Sequence, residues 1–139
     1  MWSHRDTRTL RAATVDTEQS VATLQRQVHL QSALHARSST DRSYPESIDP
    51  GWFEKAVPRN ALLTDARPWL EIASDSERAR THPQSLIAAC EADACFWYNP
   101  WNGIVRARVP ADLADALALD IYNQVNGAHL TDLFFDRQD

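Results

Sequence analysis

The sequence predicts an α+β domain in which a long N-terminal helix packs on a small antiparallel sheet and a short C-terminal helix follows. Three observations lead to this fold class. Residues 10–36 contain no glycine or proline, and apolar or small side chains recur there every three or four positions. Residues 96–109 place aromatic and β-branched side chains on either side of an Asn-Gly pair, which is typical of a β-hairpin. Residues 113–125 return to helical spacing.

Length and composition limit the organisation of the chain. With 139 residues, 43% of them hydrophobic, it has the size of one ordinary domain with its own core. Within that single domain we separate residues 1–37, the N-terminal helix, from residues 38–139, a small α+β head. The 14 Lys and Arg residues stand against 19 Asp and Glu, a net charge of −5. We therefore expect no nucleic-acid partner, since no overall positive field attracts a phosphate backbone.

The predicted N-terminal helix has one narrow apolar stripe. Polar residues occupy its remaining faces, so we expect it to pack on one side only. The packing face is predicted to include Val21, Leu24 and Val28. The full stripe consists of Leu10, Ala13, Thr17, Val21, Leu24 and Val28.

The middle of the chain is predicted mainly as irregular structure. Small polar residues and two prolines indicate a loop over residues 38–50. Residues 68–73 are consistent with a short strand, because Pro68 can begin a strand but not continue one. Residues 74–83 are polar and charged and predict a surface excursion. Residues 85–94 fit either a short helix or a strand, and their alanine content favours the helix.

The hairpin is the strongest local signal. Aromatic residues 96–98 form its first strand, residues 99–103 its turn, and residues 104–109 its second strand. On the second strand, Arg106 and Arg108 share a face with Ile104 and are predicted to point partly to solvent. The opposite face, predicted to point inward, consists of Val105, Ala107 and Val109.

The C-terminal helix is predicted to begin near Asp112 and to end at Asn126-Gly127, where glycine can adopt the left-handed conformation. The apolar tail, residues 129–135, is predicted to pack as a final strand or an extended segment.

No catalytic residue, cofactor or metal site is predicted, and we expect the protein not to be an enzyme. None of the five histidines has a partner at the spacing of a metal-binding helix, and three glycines cannot form a glycine-rich phosphate loop. Cys90 and Cys95 belong to no recognisable nucleophile motif. These two cysteines form a local disulfide or stay unpaired, with at least one buried like a small hydrophobe.

The tryptophan content leaves one candidate recognition site. Among five tryptophans, Trp52 and Trp97 are interpreted as core residues, whereas Trp101 lies at the hairpin turn, where burial is hard to arrange. Trp101, flanked by Arg106 and Arg108, can stack a sugar or another planar ligand in a soluble binding module.

Parts of the sequence resemble the type IV pilin-like family, in particular the pseudopilins of type II secretion. The end of the first helix follows a family pattern, L-R-x-x-I-x-L-Y-x-x-x-H-x-G-x-Y-P. The hairpin follows a second family pattern, W-x-Y-N-x-x-T-G-x-I-R-A. The residues in step with the first pattern are Leu24, Arg26, Val28, Leu30, His35, Tyr44 and Pro45. Those in step with the second are Phe96, Tyr98, Asn99, Gly103, Val105, Arg106 and Ala107.

The resemblance, which covers roughly residues 15–109, implies a non-catalytic structural subunit of an envelope filament, as in type II secretion or type IV pili. Its helix would pack with the helices of other pilin-like subunits or secretion-system proteins, at the periplasmic side of the cell envelope. Without the resemblance, a cytoplasmic location is expected.

The chain also departs from the family. The family begins with a basic leader, a cleavage site, a glutamate and an apolar membrane helix, none of which occurs in this sequence, and residues 38–40 replace the usual glycine after the helix. Residues 111–139 extend past the usual end. No apolar run here approaches the roughly 20 residues that cross a bilayer. We expect an apolar segment upstream of Met1 in the reading frame, or an anchor that was removed.

Overall fold

The computed structural model describes residues 7–34, 44–64 and 66–134, and these residues form the predicted α+β fold. Helix α1 spans Thr7–Leu34 and helix α2 spans Asp115–Asn126. Five short strands lie between the helices. They are β1 (Leu70–Ile72), β2 (Ile87–Ala88), β3 (Phe96–Asn99), β4 (Ile104–Ala107) and β5 (Val109–Pro110).

Helix α1 begins three residues before the predicted stripe and continues to the end of the first described range. Its buried residues are those of the predicted stripe, with two differences: Leu10 is half-buried, and Thr14 joins the buried set. Thr14 is buried at low cost because its hydroxyl donates to the Leu10 carbonyl oxygen one turn earlier, at 2.8 Å. The predicted helix end at residues 35–36 and the start of the predicted loop lie outside the described residues.

The main sheet is mixed, so the prediction of an antiparallel sheet is wrong for one of its two pairings. Its strand order is β1-β3-β4. Strands β3 and β4 form the predicted antiparallel hairpin, with Phe96 opposite Ala107. Strand β1, predicted within residues 68–73, pairs parallel to β3. The reason is the long excursion after β1, which brings the chain back to the starting end of the sheet, as a parallel pairing requires.

Strands β2 and β5 form a separate parallel pair. The helix favoured for residues 85–94 is therefore wrong: the segment contains strand β2 and then a turn. Helix propensity is a weak prior over so few residues, and tertiary pairing with β5 overrides it. The turn is fixed because Asp93 accepts hydrogen bonds from the backbone amides of Ala89 and Cys90, at 3.0 and 3.1 Å.

Helix α2 starts three residues later than predicted, because Ala114 is still extended, with φ −60° and ψ 147°. Its end is as predicted: Gly127 has φ 59°, the left-handed conformation, and its amide bonds to the last turn. The described part of the tail, residues 128–134, contains no strand, although Leu133 is buried against the core. Residue 135 lies outside the described residues.

Helices α1 and α2 pack on the same face of the main sheet, which we call the front face. It presents Phe96 and Tyr98 from β3 with Val105 and Ala107 from β4, all fully buried. The other face, which we call the back face, carries Trp97, Asn99 and Arg106. Residues 74–85 lie over the back face, so both sides of the small sheet are covered.

Candidate functional site

The predicted packing face of α1 lies in the core. Leu24 and Val28 have no exposed surface and Val21 is 7% exposed. They pack in the cluster that holds the front face of the sheet and helix α2. These residues therefore hold the domain together and are not available to another subunit.

The opposite side of α1 carries a second line of residues, which we call the outer stripe. The stripe consists of Ala12, Val15, Gln19, Ala22, Arg26, Leu30 and Ala33, all of them exposed. Their spacing of three or four residues places them on one face of the helix. Val15 is 41% exposed and Leu30 49%. The stripe contains no acidic residue; besides Gln19 and Arg26 it carries three alanines with Val15 and Leu30, and the small side chains permit close approach of another helix.

Strand β4, one of the two edge strands of the main sheet, is closed by side chains from both helices. Gln25 of α1 accepts from the Val105 amide at 3.0 Å and donates to the Gly103 carbonyl at 2.6 Å. Asn126 of α2 accepts from the Ala107 amide at 2.7 Å and donates to its carbonyl at 3.0 Å. An edge satisfied in this way is a poor template for another strand. This role could not be predicted from sequence, since Gln25 lies among the polar residues outside the apolar stripe of α1.

The hairpin turn holds Trp101 in a half-buried position. Its amide donates to the Asn99 side chain at 2.9 Å, and the guanidinium carbon of Arg78 lies 5.9 Å from the centre of its ring. One face of the Trp101 indole is therefore already contacted by a cation of the same chain. The proposed stacking position is present, but it is partly occupied by Arg78.

The two arginines predicted to flank Trp101 make hydrogen bonds within the domain. Arg106 is half-buried, as predicted for a face that points partly to solvent, whereas Arg108 is buried, which corrects the prediction for that residue. Arg106 donates to the carbonyls of Thr81 and Asn126, at 2.8 and 3.0 Å. Arg108 is 3% exposed; it pairs with Glu71 at 2.7 Å. Alternation along a strand predicts which face a side chain takes, but not that residues 74–85 cover that face.

Cys90 and Cys95 lie within the described residues, and no disulfide joins them. Cys90 is exposed in the turn after β2, whereas Cys95 is buried just before β3, with its Sγ 3.9 Å from the Thr64 carbonyl oxygen. Of the two alternatives drawn from the sequence, the structure shows the one without a disulfide.

A buried polar pair, His82 and Tyr122, was not predicted. The His82 Nδ1 lies 2.8 Å from the Tyr122 hydroxyl oxygen. Burial, assisted by the nearby cations Arg106 and Arg80, lowers the pKa of His82 to about 4, so its ring is neutral at physiological pH. Burial also raises the pKa of the Tyr122 phenol. No spacing in the sequence links two residues so far apart, so only coordinates reveal the pair.

Within the described ranges, no group of three or more His, Cys, Asp or Glu side chains is arranged to hold a metal ion. Neither α1 nor α2 is both long enough and apolar enough to cross a membrane.

The chain matches no protein-family model, no curated protein and no solved structure. The outer stripe of α1, which runs from Ala12 to Ala33, is the longest of the surfaces described above.

Proposed function

We propose that this chain is a non-catalytic, pilin-like subunit of an envelope filament of the type II secretion or type IV pilus kind. The observation that carries the proposal is the outer stripe of α1. Helix α1 has 28 residues and is about 42 Å long at 1.5 Å per residue. The domain covers one side of it and leaves an acid-free, partly apolar line along the other.

The distribution of closed and open surfaces supports assembly through this helix. The edge strand β4 is closed by Gln25 and Asn126, so addition of a strand at this edge is disfavoured. The outer stripe, by contrast, exposes Val15 and Leu30 without any covering element among the described residues. Burying such side chains against a second helix releases about 25 cal/mol per Å² of apolar surface.

Contacts between the motifs that resemble the family add support. The Tyr98 hydroxyl donates to the Pro45 carbonyl at 2.7 Å, which joins the Tyr-Pro loop to the hairpin. A Cβ on Gly103 would lie 2.5 Å from Tyr44 Cδ1, so the Tyr44 ring fits closely over the turn. The two separate sequence patterns thus form one packed unit at one end of α1.

Under this proposal the partners are helices of other pilin-like subunits, and the location is the cell envelope with the head facing the periplasm. The in-frame sequence upstream of Met1 should then encode an apolar segment of about 20 residues, the length that spans a bilayer. An upstream stop codon with no such segment before it would contradict the expectation.

Photo-crosslinking in cells that naturally make the protein tests the proposed contact. A benzoylphenylalanine at Leu30 should capture a peptide from the long helix of a pilin-like subunit, either this protein or another. The matched control is the same probe at Glu18, an exposed α1 residue beside α2 whose carboxylate accepts from Gln124 at 3.3 Å. The Glu18 probe should capture little, because α2 lies next to it.

Two outcomes separate the proposal from its competitors. Equal capture at Leu30 and Glu18 would show that the outer stripe has no special role. Capture at Leu30 of peptides from proteins without a pilin-like helix would show a different kind of partner. The stacking module at Trp101 is less well supported, since Arg106 and Arg108 are engaged within the domain.

A further inference from the structure

We infer that a cleft beside the start of β1 binds a small planar carboxylate, through the guanidinium of Arg67. The cleft has a volume of about 340 Å³ and is lined by Val57, Arg59, Arg67, Trp69 and Cys95. This volume lies at the lower end of the range for small-molecule sites. The cleft contains no residue of the outer stripe, so the inference is independent of the proposed filament role.

Hydrogen bonds to the backbone orient the guanidinium of Arg67. Its Nη1 donates to the carbonyls of Cys90 and Asp93, both at 2.9 Å, which fixes the plane of the guanidinium. Among the described residues, its buried Nε has no hydrogen-bond partner and its Nη2 makes no hydrogen bond. The Nε and Nη2 donors form one edge of the guanidinium, the edge that can bind a carboxylate with two parallel hydrogen bonds.

The charge around Arg67 also favours an anionic ligand. Among the described residues, no carboxylate forms an ion pair with Arg67. The described residues that line the cleft include no acid. Asp93, whose backbone carbonyl accepts from Arg67, uses its side chain to accept from the amides of Ala89 and Cys90. A partly buried cation whose polar contacts are backbone carbonyls still lacks a counter-charge, and an anionic ligand supplies one.

The apolar residues that line the cleft suit the flat ring of an aromatic ligand. The Trp69 indole nitrogen donates to the Pro58 carbonyl at 2.8 Å, so the rest of the ring offers only apolar surface. The ring centre lies 6.2 Å from that of Phe96 in an edge-on arrangement, which holds its orientation. Val57 and Cys95 complete an apolar lining. An aromatic carboxylate matches both parts, with its ring against Trp69 and its carboxylate at Arg67.

Titration with sodium benzoate at low salt, followed by the ¹H–¹⁵N spectrum of the full chain, tests the inference. We expect saturable shifts of the Trp69 indole signal, assigned with Trp69→Phe, and of the Cys95 amide signal. Benzyl alcohol has the same ring without the charge, and it should cause much smaller shifts. Equal shifts with benzyl alcohol, or no shifts with benzoate, would overturn the inference.

Substitutions at Arg67 distinguish the contribution of its charge to benzoate binding from the contribution of its two-donor edge. Arg67→Gln should weaken benzoate binding about tenfold or more, the cost of removing a charge-assisted pair of hydrogen bonds. Arg67→Lys keeps the charge but not the two-donor edge, and it should weaken binding about threefold or more. The matched control is Arg78→Gln, because Arg78 is an exposed arginine paired with Asp75 at 2.7 Å.

Arg67 also holds the turn at Cys90 and Asp93, so the dispersion of the spectrum is checked before each titration. If the Arg67→Gln variant does not fold, the benzoate affinity of the Arg67→Lys variant alone tests the proposed site. Wild-type affinity in the Arg67→Lys variant would show that the cleft does not use the Nε and Nη2 donors. The same affinity loss in Arg78→Gln would show only a general effect of surface charge. Either result would contradict the proposed site.

Discussion

The two faces of the main sheet are held by different forces. On the front face, Phe96, Tyr98 and Val105 are fully buried against apolar residues of α1 and α2. On the back face, Asn99 and Arg106 donate hydrogen bonds to backbone carbonyls of residues 77–81. The front face depends on apolar packing against both helices, whereas the back face combines the buried Trp97 ring with a few directed hydrogen bonds to one segment. A substitution on the front face should therefore lower the stability of the whole domain, whereas one on the back face should mainly loosen the segment that covers it.

The largest effect is expected on the front face. Leu24→Ala should lower the free energy of unfolding by about 3 kcal/mol, since it removes a fully buried side chain and leaves a cavity. The matched control is Leu30→Ala on the same helix, which should change it by less than about 0.5 kcal/mol because Leu30 is 49% exposed. Urea denaturation measures both. Similar losses for the two variants would contradict the assignment of the inner and outer sides of α1.

The back face should respond more locally. The Asn99 side chain donates to the carbonyls of Glu77, Arg78 and Arg80, at 3.3, 3.0 and 2.9 Å. Asn99→Ala should cost about 2 kcal/mol by leaving these carbonyls without their buried donor. It should also speed tryptic cleavage after Arg78 and Arg80 more than Leu24→Ala does, relative to the loss of global stability. Asn102→Ala, which removes one bond to the Arg80 carbonyl, should have about half the effect.

Stability should also fall in acid because of His82. Its pKa is about 4 in the folded protein and 6.5 as the ordinary value, so between these limits the unfolded state binds a proton that the folded state does not. Stability is therefore full above pH 6.5 and decreases as the pH falls toward 4. The expected loss is on the order of 2 kcal/mol, after allowance for solvent screening of Arg80 and Arg106.

His82→Gln removes the titrating ring and should flatten this part of the pH profile of unfolding. An unchanged slope between pH 6.5 and 4 in His82→Gln would show that other groups cause the loss. Tyr122→Phe keeps the histidine but removes its 2.8 Å partner, and it should lower stability at neutral pH by about 1 kcal/mol.

The smallest effect is expected at the hairpin turn. Trp101→Ala should cost no more than about 1 kcal/mol, because the ring is half-buried and its cationic neighbour, Arg78, is itself exposed. In the stacking hypothesis the same variant would abolish a ligand-induced fluorescence change; in the filament proposal it should leave helix capture at Leu30 unchanged.

Local sequence patterns predicted the elements that depend on neighbouring residues. Helical spacing placed Leu24 and Val28 in the core, and Gly127 ends α2 with a positive φ as expected. The hairpin at β3 and β4 followed from its aromatic and β-branched residues and its turn. These features need no knowledge of distant parts of the chain.

The remaining features depend on contacts between distant residues, which a single sequence does not encode in any visible spacing. Arg108 is buried because Ser85, Ala94 and Glu71 meet around it. The parallel pairing of β1 with β3 depends on the excursion of residues 73–95 that separates the two strands. The unsatisfied edge of Arg67 likewise appears only once the turn at Cys90 and Asp93 is in place.

The central claim, that the outer stripe of α1 contacts another subunit's helix, is tested most directly by maleimide labelling. Leu30→Cys and Glu18→Cys are made in a Cys90→Ser background, which removes the exposed native thiol. In the purified chain both new thiols should react at similar rates, since both positions are exposed. In cells that assemble the protein, Leu30→Cys should be protected and Glu18→Cys should stay reactive. Equal labelling of the two positions in those cells would contradict the claim.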